Sequence, residues 1–307
     1  MSLDSASAVA KLRSLTVKFD NGVKSVQPFY PALCTDVPSD GADEEYGLLG
    51  NVPQVREWIG DRDFKELRGA KWTIENKLWE QSLAIAKTRI RDDRLGLYSP
   101  MLAELGKRAV KYPDTLLFNL INAAESTACF DGQFFFDTDH SWGDSDAQSN
   151  DLTYDATDHT SVTVAEFKAA YNAAVKALME FKDDQGEYIN DDIWDESLQL
   201  VIVCNHTLLQ TAHDALTVSL NSTGGENKVI TQRPKIITSA RYSSTVKFDI
   251  YKVDSPLRPF IFQKREPLSR QMKGQNDIEN KDVKFMTEAR YNVGYGVWWT
   301  GVRTTFN

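Results

Sequence analysis

The sequence predicts an α+β chain with its helices central and its strands gathered towards both ends. Three observations carry this reading. Trp72, Ile74 and Leu78 fall on alternate positions of "KWTIENKLW", the period of a strand with one buried face. Leu116, Leu117, Leu120, Ile121 and Ala124 instead recur at helical spacing and form one apolar stripe. Late in the chain, "STVKFDIYKV", "RPFIFQ" and "VKFMTEARYNVGYGVWWTGVRTT" are rich in the β-branched and aromatic residues of strands.

Taken in order, residues 1–45 have weak periodicity, with Pro28, Pro31 and Pro38 and a polar "DVPSDGADEE" run, and read as an extended arm. Residues 46–92 read as long strands joined through the charged tip "DRDFKELRGA", with a shift or bulge where the alternation changes phase near Trp79. Ser99-Pro100 is an N-cap signal followed by a first-turn proline, and Leu102, Leu105 and Ala109 continue at helical spacing. Pro113 then starts or kinks a second helical segment. Thr163 and Glu166 have capping-box spacing, ahead of an amphipathic helix carrying Phe167, Tyr171, Ala174, Val175, Leu178 and Phe181. "LQLVIVCN" reads as a buried strand leading into a helix from about His206 to Leu220.

At 307 residues and 41% hydrophobic, the chain can bury a core in one large domain or two subdomains. No run of about 18 apolar residues occurs, and the N-terminal stretch lacks the apolar core of a secretory signal, so the expectation is a soluble protein with no membrane partner. Cys34, Cys129 and Cys204 have no paired spacing, which argues against a disulfide framework. A net charge of −9 argues against a protein that grips nucleic acid by its phosphates. The charge is uneven. Between Lys111 and Lys168 there are 11 acidic residues and no Lys or Arg, whereas Lys228 to the end holds 15 Lys or Arg against 7 Asp or Glu. Either these are two differently solvated faces, or neighbouring copies present them to each other.

The stretch "ACFDGQFFFDTDHSWGDSDAQSND", Ala128 to Asp151, has six aspartates and a histidine and invites a metal reading. An EF-hand loop needs glycine at its sixth position and glutamate at its twelfth. Counted from Asp137 these are Trp142 and Gln148, and from Asp144 they are Ser149 and Asp155, so both fail. No histidine pair has the spacing of a zinc hydrolase; His206 and His213, seven apart, share roughly one helical face. Nucleophile-elbow and phosphate-loop motifs are absent, and Gly294 and Gly296 lie inside a strand pattern, where close backbone approach is the simpler reading. The acid pairs Glu44-Glu45, Asp92-Asp93 and Asp191-Asp192 sit in polar contexts as solvated charges. Neither catalytic residues nor a cofactor or metal site is assigned.

Tryptophan is the more informative residue. Trp58, Trp72 and Trp79 fall in the hairpin-like 46–92 segment, whose tip also holds Arg62, Lys65 and Arg68. A hairpin of that length needs a surface to cover one face, and tryptophan is enriched among interface anchors. The rings either fill this chain's own core or reach a neighbouring copy. These six residues are the inter-subunit contact candidates.

Five motifs in order, "YGLLGNVPQVREWIGDRDFKEL", "WTIENKLWEQSLAIAKTRIRDDRLGLYSPMLAELGKRA", "CFDGQFFFDTDH", "RPFIFQKREP" and "EARYNVGYGVWW", resemble the major head subunit of Mu-like phages and prophages. The resemblance implies the Hong Kong 97 capsid fold: an N-terminal arm at 1–45, an extended loop (a long β-hairpin) at 46–92, a peripheral domain with a spine helix at 93–150, an axial domain at 151–249, and C-terminal strands at 250–307 returning to the peripheral domain. It implies a structural, non-enzymatic protein without cofactors. Such a subunit self-assembles into hexamers and pentamers of an icosahedral head, in the host cytoplasm and then the virion. A scaffold protein, a maturation protease and a portal are the implied partners, and double-stranded DNA is enclosed without tight binding. On this reading the Asp-rich stretch is a connection in which Phe130, Phe134, Phe135 and Phe136 pack while the aspartates face solvent. The alternatives are an encapsulin-like nanocompartment shell, which shares the fold, and a metal-dependent hydrolase using the Asp-rich loop 131–146.

Overall fold

Apolar alternation and helical stripes resolve into three sheets and five α-helices in a computed structural model, which describes residues 6–49, 69–92, 96–143, 145–190, 199–216, 234–273 and 281–307. The elements run α1 (Ala6–Lys24), β1 (Cys34–Pro38), β2 (Asp43–Leu49), β3 (Gly69–Glu75), β4 (Lys77–Ala86), α2 (Lys87–Asp92), α3 (Tyr98–Asn122) and β5 (Asp151–Tyr154). Then come α4 (Val164–Met179), β6 (Leu200–Cys204), α5 (Leu209–Leu216), β7 (Lys235–Thr238), β8 (Lys247–Lys252), β9 (Phe260–Lys273), β10 (Asp282–Tyr295) and β11 (Gly301–Phe306).

One sheet has the order β1-β9-β10-β4, a second β5-β11-β8-β6-β7, and β2 and β3 form a separate two-stranded hairpin. The phase change near Trp79 therefore marks a change of sheet. β3 pairs with β2, Asn76 interrupts, and β4 pairs antiparallel with β10. Asn76 is buried, and its amide donates to Ser39 Oγ at 2.7 Å and Gly41 O at 3.0 Å, so the interruption is itself held in place. The C-terminal strands divide between the sheets. β9 and β10 lie beside β1 and β4, whereas β11 inserts between β5 and β8 in the other sheet.

Three helices differ from the sequence expectation, the short α2 (Lys87–Asp92) being the third, at the end of a segment read as strands. The first is α1, where an extended arm was expected. Leu12, Leu15 and Phe19 are buried on one face and pack with Leu102, Ile85 and Phe285. That face is too narrow to predict a helix from local sequence, and α3 supplies the surface that covers it. The helices meet backbone to backbone: a Cβ on Gly22 would lie 2.0 Å from Ala103 O, and one on Gly106 2.4 Å from Phe19 O. The second is α3, which continues through Pro113 as one helix, with Leu97 and not Ser99 at its N-cap position. Leu102, Gly106, Pro113, Leu117 and Ile121 are buried along one stripe, and this packing offsets the ~3 kcal/mol that an interior proline costs. The Thr163–Glu166 capping box forms as expected at the start of α4.

Replacing Gly106 by Val should separate α1 from α3. The expected result is a stability loss of about 1–3 kcal/mol in thermal or denaturant unfolding, with faster amide exchange confined to α1.

Candidate functional site

The hairpin is fixed at its base by aromatic rings and one buried amide. Trp72 on β3 stacks on Tyr46 of β2 at 5.7 Å, lies 5.7 Å from Phe130, and donates Nε1–H to Tyr295 O at 3.1 Å. Gln263 on β9 is fully buried, accepts from Tyr46 Oη at 2.8 Å and donates to Ile74 O at 3.1 Å. Ile74 packs where a Cβ on Gly294 would lie 2.4 Å from its Cδ1, so close approach accounts for that glycine. Gly296 is equally close to Arg258 O, at 2.3 Å for a Cβ, and donates its N–H to Pro259 O. Direction along the hairpin is thus set by contacts from β9, β10 and the 128–151 stretch.

Of the six contact candidates, Trp72 and Trp79 are described, and both are engaged within their own chain. Trp79 is partly buried, donates to Tyr291 O at 2.9 Å and meets Tyr112 edge-on at 4.8 Å. Trp58, Arg62, Lys65 and Arg68 lie outside the described residues. Lys71 pairs with Glu45 at 2.6 Å across the hairpin, but both are largely exposed, and such pairs contribute little.

The Asp-rich stretch is more deeply packed than a solvated connection. Phe135 and Phe136 are buried as expected, whereas Phe134 is exposed. Asp131 is not solvated: its Oδ2 lies 2.6 Å from His140 Nδ1, with side-chain exposures of 3% and 0%. His140 stacks on Trp298 at 4.2 Å. A histidine carried into this aromatic layer needs a polar partner, and Asp131 supplies it. Asn150 fastens the stretch further, donating to Phe135 O and Trp298 O and accepting from Asp137 N. Asp139 and Asp146 do face solvent. Among the described residues no group of three or more His, Cys, Asp or Glu stands close enough to hold a metal ion. His206 opens a 3-10 turn and His213 lies in α5 beside Asp214, on separate elements.

Sequence reasoning missed a buried ionic joint. Arg303 on β11 is directly opposite Asp249 on β8 and forms a bidentate pair with it at 2.7 and 2.8 Å. Tyr242 and Tyr251 donate to the two oxygens of Asp249, and burial beside that carboxylate pushes both phenols well up. Arg303 also donates to Ile121 O at the end of α3 and to Glu125, and its guanidinium lies 4.3 Å from the Phe136 ring centre. Lys247 completes the set on Glu125 at 2.5 and 2.8 Å. Burial raises the Glu125 carboxyl, but Lys247 and Arg303 outweigh it and hold its pKa below the usual range. A signal was present: Asp249, flanked by apolar residues in "KFDIYK", and Arg303, the one charge in "GVRTTF", need a partner of opposite sign if both strands are buried. These residues hold the subunit together and offer no nucleophile. The thiols are equally unsuited, since burial pushes Cys34 well up and Cys204 to about 12.

The site is therefore a packed base that presents a rooted hairpin. Residues 9–165 and 238–305 match the family of the Mu-like prophage major head subunit gpT. The chain belongs to this family. It is 37% identical over 153 residues to the Mu-like prophage FluMu major head subunit of Haemophilus influenzae, covering 50% of each protein. With the major capsid protein of Escherichia phage Mu it shares 33% over 135 residues, or 44% of each. The chain's matched stretch thus spans about half the length of these relatives or less. In three dimensions it is similar to the mature capsid of bacteriophage PhiM1, with TM-score 0.63 and 14% identity over 92% of this chain and 88% of that one. The fold is the Hong Kong 97 type, as the sequence motifs implied.

Removing one partner of the buried pair should be severe. Asp249→Asn and Arg303→Met are each expected to cost about 3–5 kcal/mol in denaturant unfolding, with the double variant much less than additive. Glu125 adds a pH dependence. Its folded pKa is lowered, so its contribution is full above the ordinary carboxylate range and is lost as pH falls through the lowered value. A pH series of unfolding midpoints should show this acid-side loss in the native chain and a smaller one in Glu125→Gln.

Proposed function

We propose that the protein is the major capsid subunit of a Mu-like tailed phage or prophage. It self-assembles into hexamers and pentamers that close an icosahedral head around double-stranded DNA. The family match over both the N-terminal and C-terminal portions of the chain carries this reading. It also separates a phage head from an encapsulin-like shell of the same fold. The rooted hairpin supports it physically: fixed at its base by Tyr46, Trp72 and Gln263, it leads to a tip whose Trp58, Arg62, Lys65 and Arg68 suit contact with a neighbouring copy.

Assembly, and not catalysis, is the proposed activity. The 1–45, 46–92, 93–150, 151–249 and 250–307 segments act as arm, extended loop, peripheral domain, axial domain and returning strands, with β11 lent to the axial sheet. A scaffold, a maturation protease and a portal act with the subunit in the host cytoplasm before the virion is complete. The net charge of −9 suits a wall that encloses DNA without gripping it.

Sedimentation velocity across a concentration series, with negative-stain images of the largest species, should show rings of five and six, tubes or shells. Reversing Arg62, Lys65 and Arg68 to Glu should shift the distribution towards monomer at unchanged thermal stability. A strict monomer at every concentration, with or without co-expressed scaffold, would overturn the assembly reading.

A further inference from the structure

Between α3 and the β4–β10 face of the first sheet lies an open groove of about 840 Å³ that nothing in the shell reading uses. Its floor is aromatic: Trp79, Tyr112 and Tyr291 lie against one another, with Trp79 and Tyr112 edge-on at 4.8 Å. Leu268 adds an exposed apolar side chain at one side. Lys107, Arg108, Lys111 and Arg241 stand around it with Glu80 and Glu104, four cations against two carboxylates on a chain whose net charge is −9.

We infer that this groove docks a short, extended, acidic peptide segment of a partner protein, with one aromatic or large aliphatic side chain on the Trp79–Tyr112–Tyr291 floor and carboxylates on the basic rim. Length agrees with that occupant. From Glu104 to Thr115 the helix rises about 16 Å, which an extended segment spans in about five residues. Volume agrees too, since the groove falls within the range of about 300–1,000 Å³ usual for binding clefts. Charge selects the class. Arg108 is paired with Glu104 at 3.3 Å, and the remaining cations Lys107, Lys111 and Arg241 beside an aromatic floor favour a segment that carries both carboxylates and a large apolar side chain.

The test uses the full-length chain and a fluorescein-labelled octapeptide, EDEWLDED, followed by fluorescence anisotropy at moderate and high salt. Saturable binding that weakens with salt is expected, with an affinity reduced about tenfold or more by Lys107→Glu with Lys111→Glu. Far-UV circular dichroism should be unchanged in the charge-reversed variant. The peptide with Ala for its Trp should bind several-fold more weakly. The inference is overturned if no saturable binding appears, if the charge-reversed chain binds equally, or if a KRKWLKRK peptide binds as well. It is also overturned if a peptide of residues 50–68 binds more tightly, which would assign the groove to a second copy, or if a single-stranded oligonucleotide displaces the acidic peptide. Binding is read on unassembled chain, so its failure and a failure to form shells are separate results.

Discussion

Arg303 holds the subunit together because it is the point at which four otherwise separate pieces of chain meet. Its guanidinium forks onto Asp249 in the neighbouring strand, donates to Ile121 O where α3 ends, reaches Glu125 just beyond, and lies over Phe136 of the Asp-rich stretch. A charge with 4% of its side chain exposed is tolerable only when nearly every donor is matched. The Asp249 carboxylate needs the same, and two tyrosine hydroxyls complete its shell. The C-terminus of α3 also benefits. Its last carbonyls have no partner within the helix, and a cation there opposes the negative end of the helix dipole. Tyr295 adds a second such bond, donating to Leu120 O. Helix α3, the β5–β11 sheet and the Asp-rich stretch are therefore set relative to one another by a few hydrogen bonds with fixed geometry.

The same device recurs with amides in place of charges. Asn150 joins the Asp-rich stretch to Trp298, Asn190 joins the end of α4 to Trp299, Asn205 joins β6 to Tyr242, and Gln263 joins β9 to the hairpin. Each is buried and bonds backbone of a distant segment, so each specifies where two elements meet in a way that apolar contact alone does not. Between these fasteners the packing is aromatic. Phe130, Trp142, Trp298 and Trp299 lie within 5.4–5.7 Å of one another in sequence of contact, and Trp72 extends the layer to the hairpin. The consequence is a hairpin base held against swinging by the aromatic layer and Gln263, as the proposed contact with a neighbouring copy requires.

The arm shows the complementary principle. Asp114, buried in α3, accepts the backbone N–H groups of Phe29 and Tyr30 at 2.8 and 2.9 Å, and the paired glycines Gly22 and Gly106 let α1 lie against α3 without intervening side chains. The segment before β1 is thus docked twice, once by close packing and once by a carboxylate.

Local chemistry made much of this legible in advance. The capping box at Thr163, the alternation in β3 and β4, the buried run of β6 and the family motifs all lie within short windows, where neighbouring residues decide the outcome. So do Gly294 and Gly296, whose place in a strand pattern already pointed to close backbone contact. What local chemistry could not decide was which distant residue completes each buried group. Pro113 reads as a break until the stripe on either side is packed, α1 reads as an arm until α3 covers Leu12, Leu15 and Phe19, and Asp131 reads as solvated until His140 is folded against it. Arg303 and Asp249 are two unremarked charges 54 residues apart until antiparallel pairing sets them side by side. The sequence by itself determined the family, the fold class and the type of those elements with strong local periodicity, because these follow from periodicity and motif order. Only the tertiary structure decided the sheet to which β11 belongs and the partner that neutralises each buried charge, because both depend on long-range register that no single stretch of sequence encodes.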